Sequence, residues 1–338
     1  MKKTILLSGL LCGCLYTNAQ NLSGDELAKK ISETKNIDTV AWIYSGNFIL
    51  GMNQGLLHNW AAGGELASLT VNSTFNGTLT RYNGRKVWAN NVDAAYGLFY
   101  AYSNDFEPRK TDDRLDITSK YGYKLSTSKK SDFYFTCLGN IKTQFTKGYN
   151  YDAPQWDTFS TSGFLSPLYI TIAPGLEYRK GTMLSLFFSP VATRLTFVDK
   201  YYTLQNEEGM YGVKYGKSFR GEFGAYFSGR FVKDFTKNIS YRGRLDLYSN
   251  YLAKPVKDDN GIVIKRDNPG NIDWLIDNSI TFKFFKYFVM NVGVVAIYDN
   301  DVPYEPVLVD GAKLKEPVGG LGWWQLKQFV TFGFNYKF

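Results

Sequence analysis

Few residues in this 338-residue chain are of types that could do covalent chemistry. His58 is the only histidine, and it stands in His58-Asn59-Trp60-Ala61-Ala62-Gly63-Gly64. A serine activated by an imidazole, with an acidic or amide side chain orienting the ring, is how hydrolases attack acyl esters, and a membrane rim can host that arrangement. Ser68, Ser103 and Ser166 could reach such a rim, but no spacing ties any of them to His58. The segment also has a plain structural account. Gly63-Gly64 permits a tight turn with positive φ, and Trp60 suits a lipid–water boundary. Cys137 is the only cysteine beyond Cys12 and Cys14, so neither a disulfide framework nor a cysteine metal site is expected. Asp258-Asp259-Asn260-Gly261 lacks the distal glutamate of a calcium loop and reads as a turn. The sequence carries no glycine-rich nucleotide loop, zinc motif or nucleic-acid module, so no cofactor, metal or nucleic-acid partner is expected.

The larger body of polar chemistry is electrostatic, and it recurs at every second residue. Arg220, Glu222, Tyr226, Ser228 and Arg230 alternate with Phe219, Phe223, Ala225, Phe227 and Phe231. Arg242, Arg244 and Asp246 alternate with Tyr241, Leu245 and Leu247 in the same way, and Arg114, Lys120, Lys142 and Lys327 fall on the polar faces of further segments. Successive side chains of a strand point to opposite faces, so each segment has one apolar and one charged face. Phasing every segment in this manner collects twelve basic residues on the polar faces: the eight named here with Lys124, Arg179, Lys283 and Lys337. Six acidic residues join them: Asp116, Glu177, Glu222, Asp246, Asp277 and Asp299. If the sheet closes on its polar face, these residues line a lumen. A salt-bridged interior is one expectation, in which adjacent strands pair arginine with carboxylate. A wet bore whose field favours anionic solutes is the other. The small bore, with Tyr134, Tyr226 and Phe329 pointing inward, weighs towards occlusion.

The elements that must position these residues are twelve strands, expected near 44–57, 65–82, 86–102, 113–125, 132–146, 164–179, 182–197, 219–233, 238–252, 273–285, 287–299 and 323–338. Most exceed the five or six residues of a soluble strand and suffice for a tilted membrane crossing. Their connections alternate strictly between long and short, as in outer-membrane barrels with short periplasmic turns and long outer loops. Pro167, Pro174 and Pro190 interrupt strands six and seven, so bulges or shifted boundaries are expected there. Aromatic residues make up 17% of the chain, with 25 Tyr and 25 Phe, while no run of 18 apolar residues forms a membrane helix. The fold expectation is an all-β outer-membrane barrel of about twelve antiparallel strands. A soluble secreted β-protein is the rival.

The two ends add context. Met1-Lys2-Lys3, the apolar run from Ile5 to Leu11 and Asn18-Ala19-Gln20 read as a signal peptide over residues 1–19, with a lipoprotein signal at Cys12 or Cys14 as the alternative. Loss of Lys2 and Lys3 would take the formal charge from +8 to +6. Residues 20–41 read as a periplasmic segment with a short helix at 23–34, capped by Ser23 and Glu26, leaving 42–338 as the barrel. The last strand ends Phe329-Val-Thr-Phe-Gly-Phe-Asn-Tyr-Lys-Phe338, with Val330, Phe332, Phe334, Tyr336 and Phe338 on one face. It resembles the closing strand of outer-membrane barrels. There Phe332, Phe334, Tyr336 and Phe338 would form the signal read by the barrel-insertion machinery.

The segment Gly51-Met-Asn-Gln-Gly-Leu-Leu-His-Asn-Trp-Ala-Ala-Gly-Gly64 resembles a Bacteroidetes family of exported proteins labelled domain of unknown function 3078, over about Trp42 to Phe338. The resemblance implies an outer-membrane setting and supplies no catalytic residue. The expected partners are therefore outer-membrane lipid, lipopolysaccharide and the insertion machinery, with both barrel termini periplasmic. The functional expectation is a non-enzymatic barrel: a narrow channel for small, anionic solutes or a structural component of the envelope. A lipid-modifying hydrolase using His58 is the alternative.

Overall fold

A computed structural model describes residues 41–57, 65–125, 133–151, 156–180, 183–206, 209–254, 256–257, 263–265, 268–285, 287–299, 308–309, 312–313 and 324–337. The expected signal peptide, the 23–34 helix, the His58–Gly64 segment and Phe338 lie outside them.

Twelve long strands form the molecule: β1 Ala41–Leu56, β2 Ala67–Asn83, β3 Lys86–Ala101, β4 Arg109–Lys124, β5 Phe133–Thr143, β6 Leu168–Lys180, β7 Leu184–Phe197, β8 Phe219–Asp234, β9 Ile239–Asn250, β10 Ile272–Lys283, β11 Phe288–Tyr298 and β12 Trp324–Lys337. Each pairs antiparallel with its sequence neighbours, and β12 pairs back to β1, so the sheet closes on itself. Closure leaves no unpaired edge, which is what a sheet in hydrocarbon requires. The expected strand count and pairing order hold throughout. The long connections carry small additions: ribbons pairing Gly148–Tyr149 with Ser160–Ser162, Val256–Lys257 with Val263–Lys265 and Leu308–Val309 with Ala312–Lys313, a 3-10 turn at Tyr102–Asn104, and the short helix α1, Lys200–Thr203.

The two-residue rhythm sorts the side chains. On β5, Phe133, Phe135, Cys137 and Ile141 are exposed on the outer wall while Thr136, Leu138 and Asn140 are buried inside. On β12, Leu326, Val330, Phe332, Phe334 and Tyr336 are exposed, whereas Gly333 and Asn335 are buried. The inner wall along β5–β9 holds an apolar cluster of Leu138, Ala173, Phe187, Ala192, Tyr226 and Tyr248.

The prolines mark a bulge. Between Ile172 and Leu176 of β6, strand β7 carries one residue more, and β8 shows the same offset between Gly224 and Tyr226. The extra residue lies at Pro190–Val191, and the Ser189 hydroxyl there donates to the Pro174 carbonyl at 2.6 Å. The bulge changes which residues of β7 face inward: Phe187 and Ser189 before it, Ala192 and Thr196 after it, all buried. Proline is tolerated at such a point because the ladder is already broken. Pro167 precedes β6 and interrupts nothing.

The seam between β1 and β12 is short, running from Asn47↔Lys337 to Gly51↔Gly333. A methyl group on Gly333 would collide with the Leu50 carbonyl, and one on Gly51 with the Thr331 side chain. Two facing glycines let the closing strands approach.

Candidate functional site: the charged interior

The ion pairs and hydrogen bonds show which groups the ten residues expected on the polar faces meet. Nearest the short turns, Glu177 is the hub. Its carboxylate accepts from Lys120 at 3.1 Å, Arg179 at 2.7 Å, Ser185 at 2.7 Å and Thr136 at 3.0 Å. These donors come from β4, β5, β6 and β7, which are neighbours in the sheet. Lys120 and Glu177 are almost fully buried, so each requires the other.

At mid-height the pairing crosses the bore. Arg244 of β9 binds Asp116 of β4 at 2.7 Å and Asp246 of its own strand at 2.6 Å. Asp116 also accepts from Asn140 at 2.5 Å, and Asp246 from Ser228 at 2.8 Å, with Lys142 at 3.7 Å. Arg230 of β8 donates to the Thr118 hydroxyl of β4 at 3.2 Å. Arg114 of β4 pairs with Asp277 of β10 at 3.0 Å, and Arg242 of β9 with Asp93 of β3 at 3.8 Å, adding a hydrogen bond to Asn76 of β2. In the closed order β4 and β10 are six strands apart, as are β3 and β9, so these pairs join opposite walls. A circular twelve-stranded barrel would be about 24 Å across, while arginine and aspartate meeting tip to tip bridge roughly 13 Å between backbones. The bore is therefore flattened at this level and crossed by side chains.

Towards the long loops, Arg194 binds Asp273 at 2.6 Å and lies 3.8 Å over the Tyr248 ring. Arg220 pairs with Glu222 at 2.9 Å, Asn250 donates to Glu222 at 3.0 Å, and Lys327 of β12 reaches Asp112 at 2.6 Å. Sequence phasing missed Arg194, Asp93, Asp112 and Asp273. Arg194 follows the bulge, where an unbroken alternation assigns the wrong face. Asp112 and Asp273 stand at strand ends. Asp93 lies among small residues that give β3 little contrast between faces. With three more carboxylates inside, the basic surplus is smaller than the phasing implied. Pairs reach across the lumen as well as between adjacent strands, which was the expected form.

The exterior is built for lipid. Large apolar side chains such as Tyr44, Met52, Phe135, Leu176, Phe188, Phe332 and Phe334 are exposed around the wall. A coat of this extent facing water would be an aggregation surface. Clustered aromatic rings border the apolar band at two levels: Trp42 and Trp88 near the short turns, and Trp274, Tyr298 and Trp324 near the long loops. The eleven residues of β10 and its turn from Trp274 to Phe284 span about 25 Å along the axis at the usual tilt, matching the apolar height of a membrane barrel.

Two of the serines weighed as rim candidates, Ser103 and Ser166, have partners among the described residues. Ser103 donates its hydroxyl to Glu65 at 2.6 Å and its backbone N–H at 2.8 Å, which holds the Glu65 carboxyl below its ordinary range. The Ser166 hydroxyl accepts from the Asp199 N–H at 2.8 Å, and the Asp199 side chain caps α1 by accepting from the Tyr201 N–H. Val198, Tyr202 and Val213 form a small core that holds the loop from β7 to β8.

No curated protein matches the chain. Among solved structures it is similar to the translocator domain of the autotransporter NalP from Neisseria meningitidis, with 8% identity, 93% of this chain and 94% of that one covered and a TM-score of 0.36. It is also similar to an outer membrane channel from Pseudomonas putida F1, at 9% identity over 90% and 97% of the two chains with a TM-score of 0.31. A FadL homologue from Pseudomonas aeruginosa gives 11% identity over 81% and 74%, with a TM-score of 0.26. The family finding is narrower than the expected span from Trp42 and takes in the Asn59–Gly64 segment: residues 52–149 match the family described as protein of unknown function (DUF3078).

Proposed function

We propose that this chain is an outer-membrane barrel without enzymatic activity, held shut at rest and serving as a structural component of the envelope. The short turns face the periplasm and the long loops face outward, as the loop parity favours. The outward row Phe332, Phe334 and Tyr336 of β12 is the part that the insertion machinery reads.

The observation that carries the closed reading is the pairing of opposite walls by Arg114 with Asp277 and Arg242 with Asp93. Paired side chains meeting across a flattened bore leave no continuous wide path, and their mutual satisfaction removes the field an open anion pore would use. Planar-bilayer recording tests this. The intact chain is expected to give no steady conductance, and the double variant Arg114→Ala/Arg242→Ala, which breaks both pairs, is expected to give resolvable steps. A stable anion-selective conductance from the intact chain would replace this reading with that of a narrow channel, for which the inward basic surplus is the supporting feature.

A further inference from the structure

On the outer wall near the short turns, four residues from four consecutive strands stand in one cross-strand row. Trp42 of β1 is opposite Arg81 of β2, Arg81 opposite Trp88 of β3, and Trp88 opposite Tyr121 of β4. They share the outward face with exposed Tyr44, Leu79 and Tyr123. A cation on the lipid face is tolerated only towards the interface, where it can reach polar headgroups. Arg81 lies two residues from the turn at Asn83, about 5 Å along the axis.

Arg81 stacks on the Trp42 ring at 5.2 Å, and its Nε is buried without a hydrogen-bond partner. No carboxylate reaches it among the described residues. Beside it opens a cleft of ≈ 150 Å³ lined by Arg81, Asn83, Lys86, Trp88 and Tyr121. The Trp88 indole N–H is already spent on the Ser119 hydroxyl at 2.9 Å, and Ser119 in turn donates to Asn90 at 2.8 Å, so the ring is held in place beside the cleft. The surrounding rim has the same sign. Arg85, Lys86, Lys180, Lys233, Lys237 and Lys283 fall within two residues of the short connections, and Asp234 is the one carboxylate among the described residues there. A basic rim with an unneutralised guanidinium at headgroup depth fits an anionic lipid surface.

We infer that this cleft binds the phosphate of an anionic phospholipid. Arg81 presents its fork to the phosphate oxygens and Lys86 adds a point charge from across the turn. Asn83 donates to the headgroup, while Trp88 and Tyr121 flank the glycerol and the first acyl carbons. The inference rests on the proposed orientation, which puts the short turns at the phospholipid-bearing periplasmic leaflet rather than at the lipopolysaccharide leaflet.

Native mass spectrometry of the folded chain in nonionic detergent tests it. The protein is titrated with phosphatidylglycerol, with phosphatidylcholine of the same acyl chains, and with glycerol 3-phosphate. The intact chain is expected to retain one phosphatidylglycerol in preference to phosphatidylcholine, with no displacement by equimolar glycerol 3-phosphate. Arg81→Gln and the exposed Lys86→Gln should each weaken that binding about fivefold, and Lys237→Gln at a separate turn should leave it unchanged. Equal retention of both lipids would overturn the inference. So would an equal loss in Lys237→Gln, which would mean a diffuse field, or displacement by glycerol 3-phosphate, which would mean a free-phosphate site. Heat-modifiable migration on an unboiled gel is read first for every variant. Its absence in the intact chain would count against the barrel itself, whereas a folded barrel without lipid preference would count against the cleft alone.

Discussion

Arg244 illustrates what single side chains do in this interior. Its guanidinium neutralises Asp116 and Asp246 together, and both carboxylates are buried. Removing it leaves two like charges in a confined space, a loss on the order of 3–5 kcal/mol for a broken buried pair. Lys327 with Asp112 is a much more exposed pair and should contribute about 0–1 kcal/mol. Urea unfolding of Arg244→Ala and Lys327→Ala in detergent is therefore expected to separate the two by several kcal/mol. Equal stabilities would mean that the mid-height network carries no load. The charged side of each strand was legible because arginine, lysine and carboxylates recur at alternate positions between aromatics. What the alternation could not show is who meets whom. The contacts of Arg114 with Asp277 and of Arg242 with Asp93 depend on the curvature of the closed sheet, which no local pattern encodes.

Strands in this molecule are legible for a physical reason. A wall with lipid on one side and a polar bore on the other enforces strict alternation over ten or more residues, a signal far stronger than that of a short soluble strand. The loop parity was readable for the same reason, since turn residues punctuate only alternate connections. The β7 bulge was legible as a disturbance but not as a shift, because Pro190 announces a broken ladder without stating how many residues are inserted. The ribbons and α1 inside the long connections are too short to carry a period, and they hold by contacts such as Tyr202 against Val198 and Val213. The seam is where an element-scale prediction belongs. Gly333→Val places a branched side chain against the Leu50 carbonyl, so closure of β1 on β12 should fail or weaken. The fraction of heat-modifiable protein after refolding is expected to drop severalfold, while Thr331→Val, on the same strand but outside the glycine pair, is expected to refold nearly as well as the intact chain. Normal refolding of Gly333→Val would show that the strands do not meet at that distance.

For the whole molecule, the apolar coat, the two aromatic belts and the closed ladder answer to one solvent. A cylinder of this kind puts its polar groups inside and its phenylalanines outside, the reverse of a soluble barrel. Closure of the sheet was foreseeable from the apolar faces, because an open sheet in lipid would strand a row of backbone donors and acceptors. The flattening was not, because it arises from side chains of opposite walls pulling together. Cys137 offers a direct probe of the arrangement. It is exposed on the outer wall, between Phe135 and Ile141 on the same face. In membranes containing the chain with Cys12→Ser and Cys14→Ser, a charged maleimide is expected to leave Cys137 unmodified and a lipid-soluble maleimide to label it, with both reagents reacting once the protein is unfolded in urea. Labelling of the folded protein by the charged reagent at the unfolded rate would put that wall in water and contradict the account.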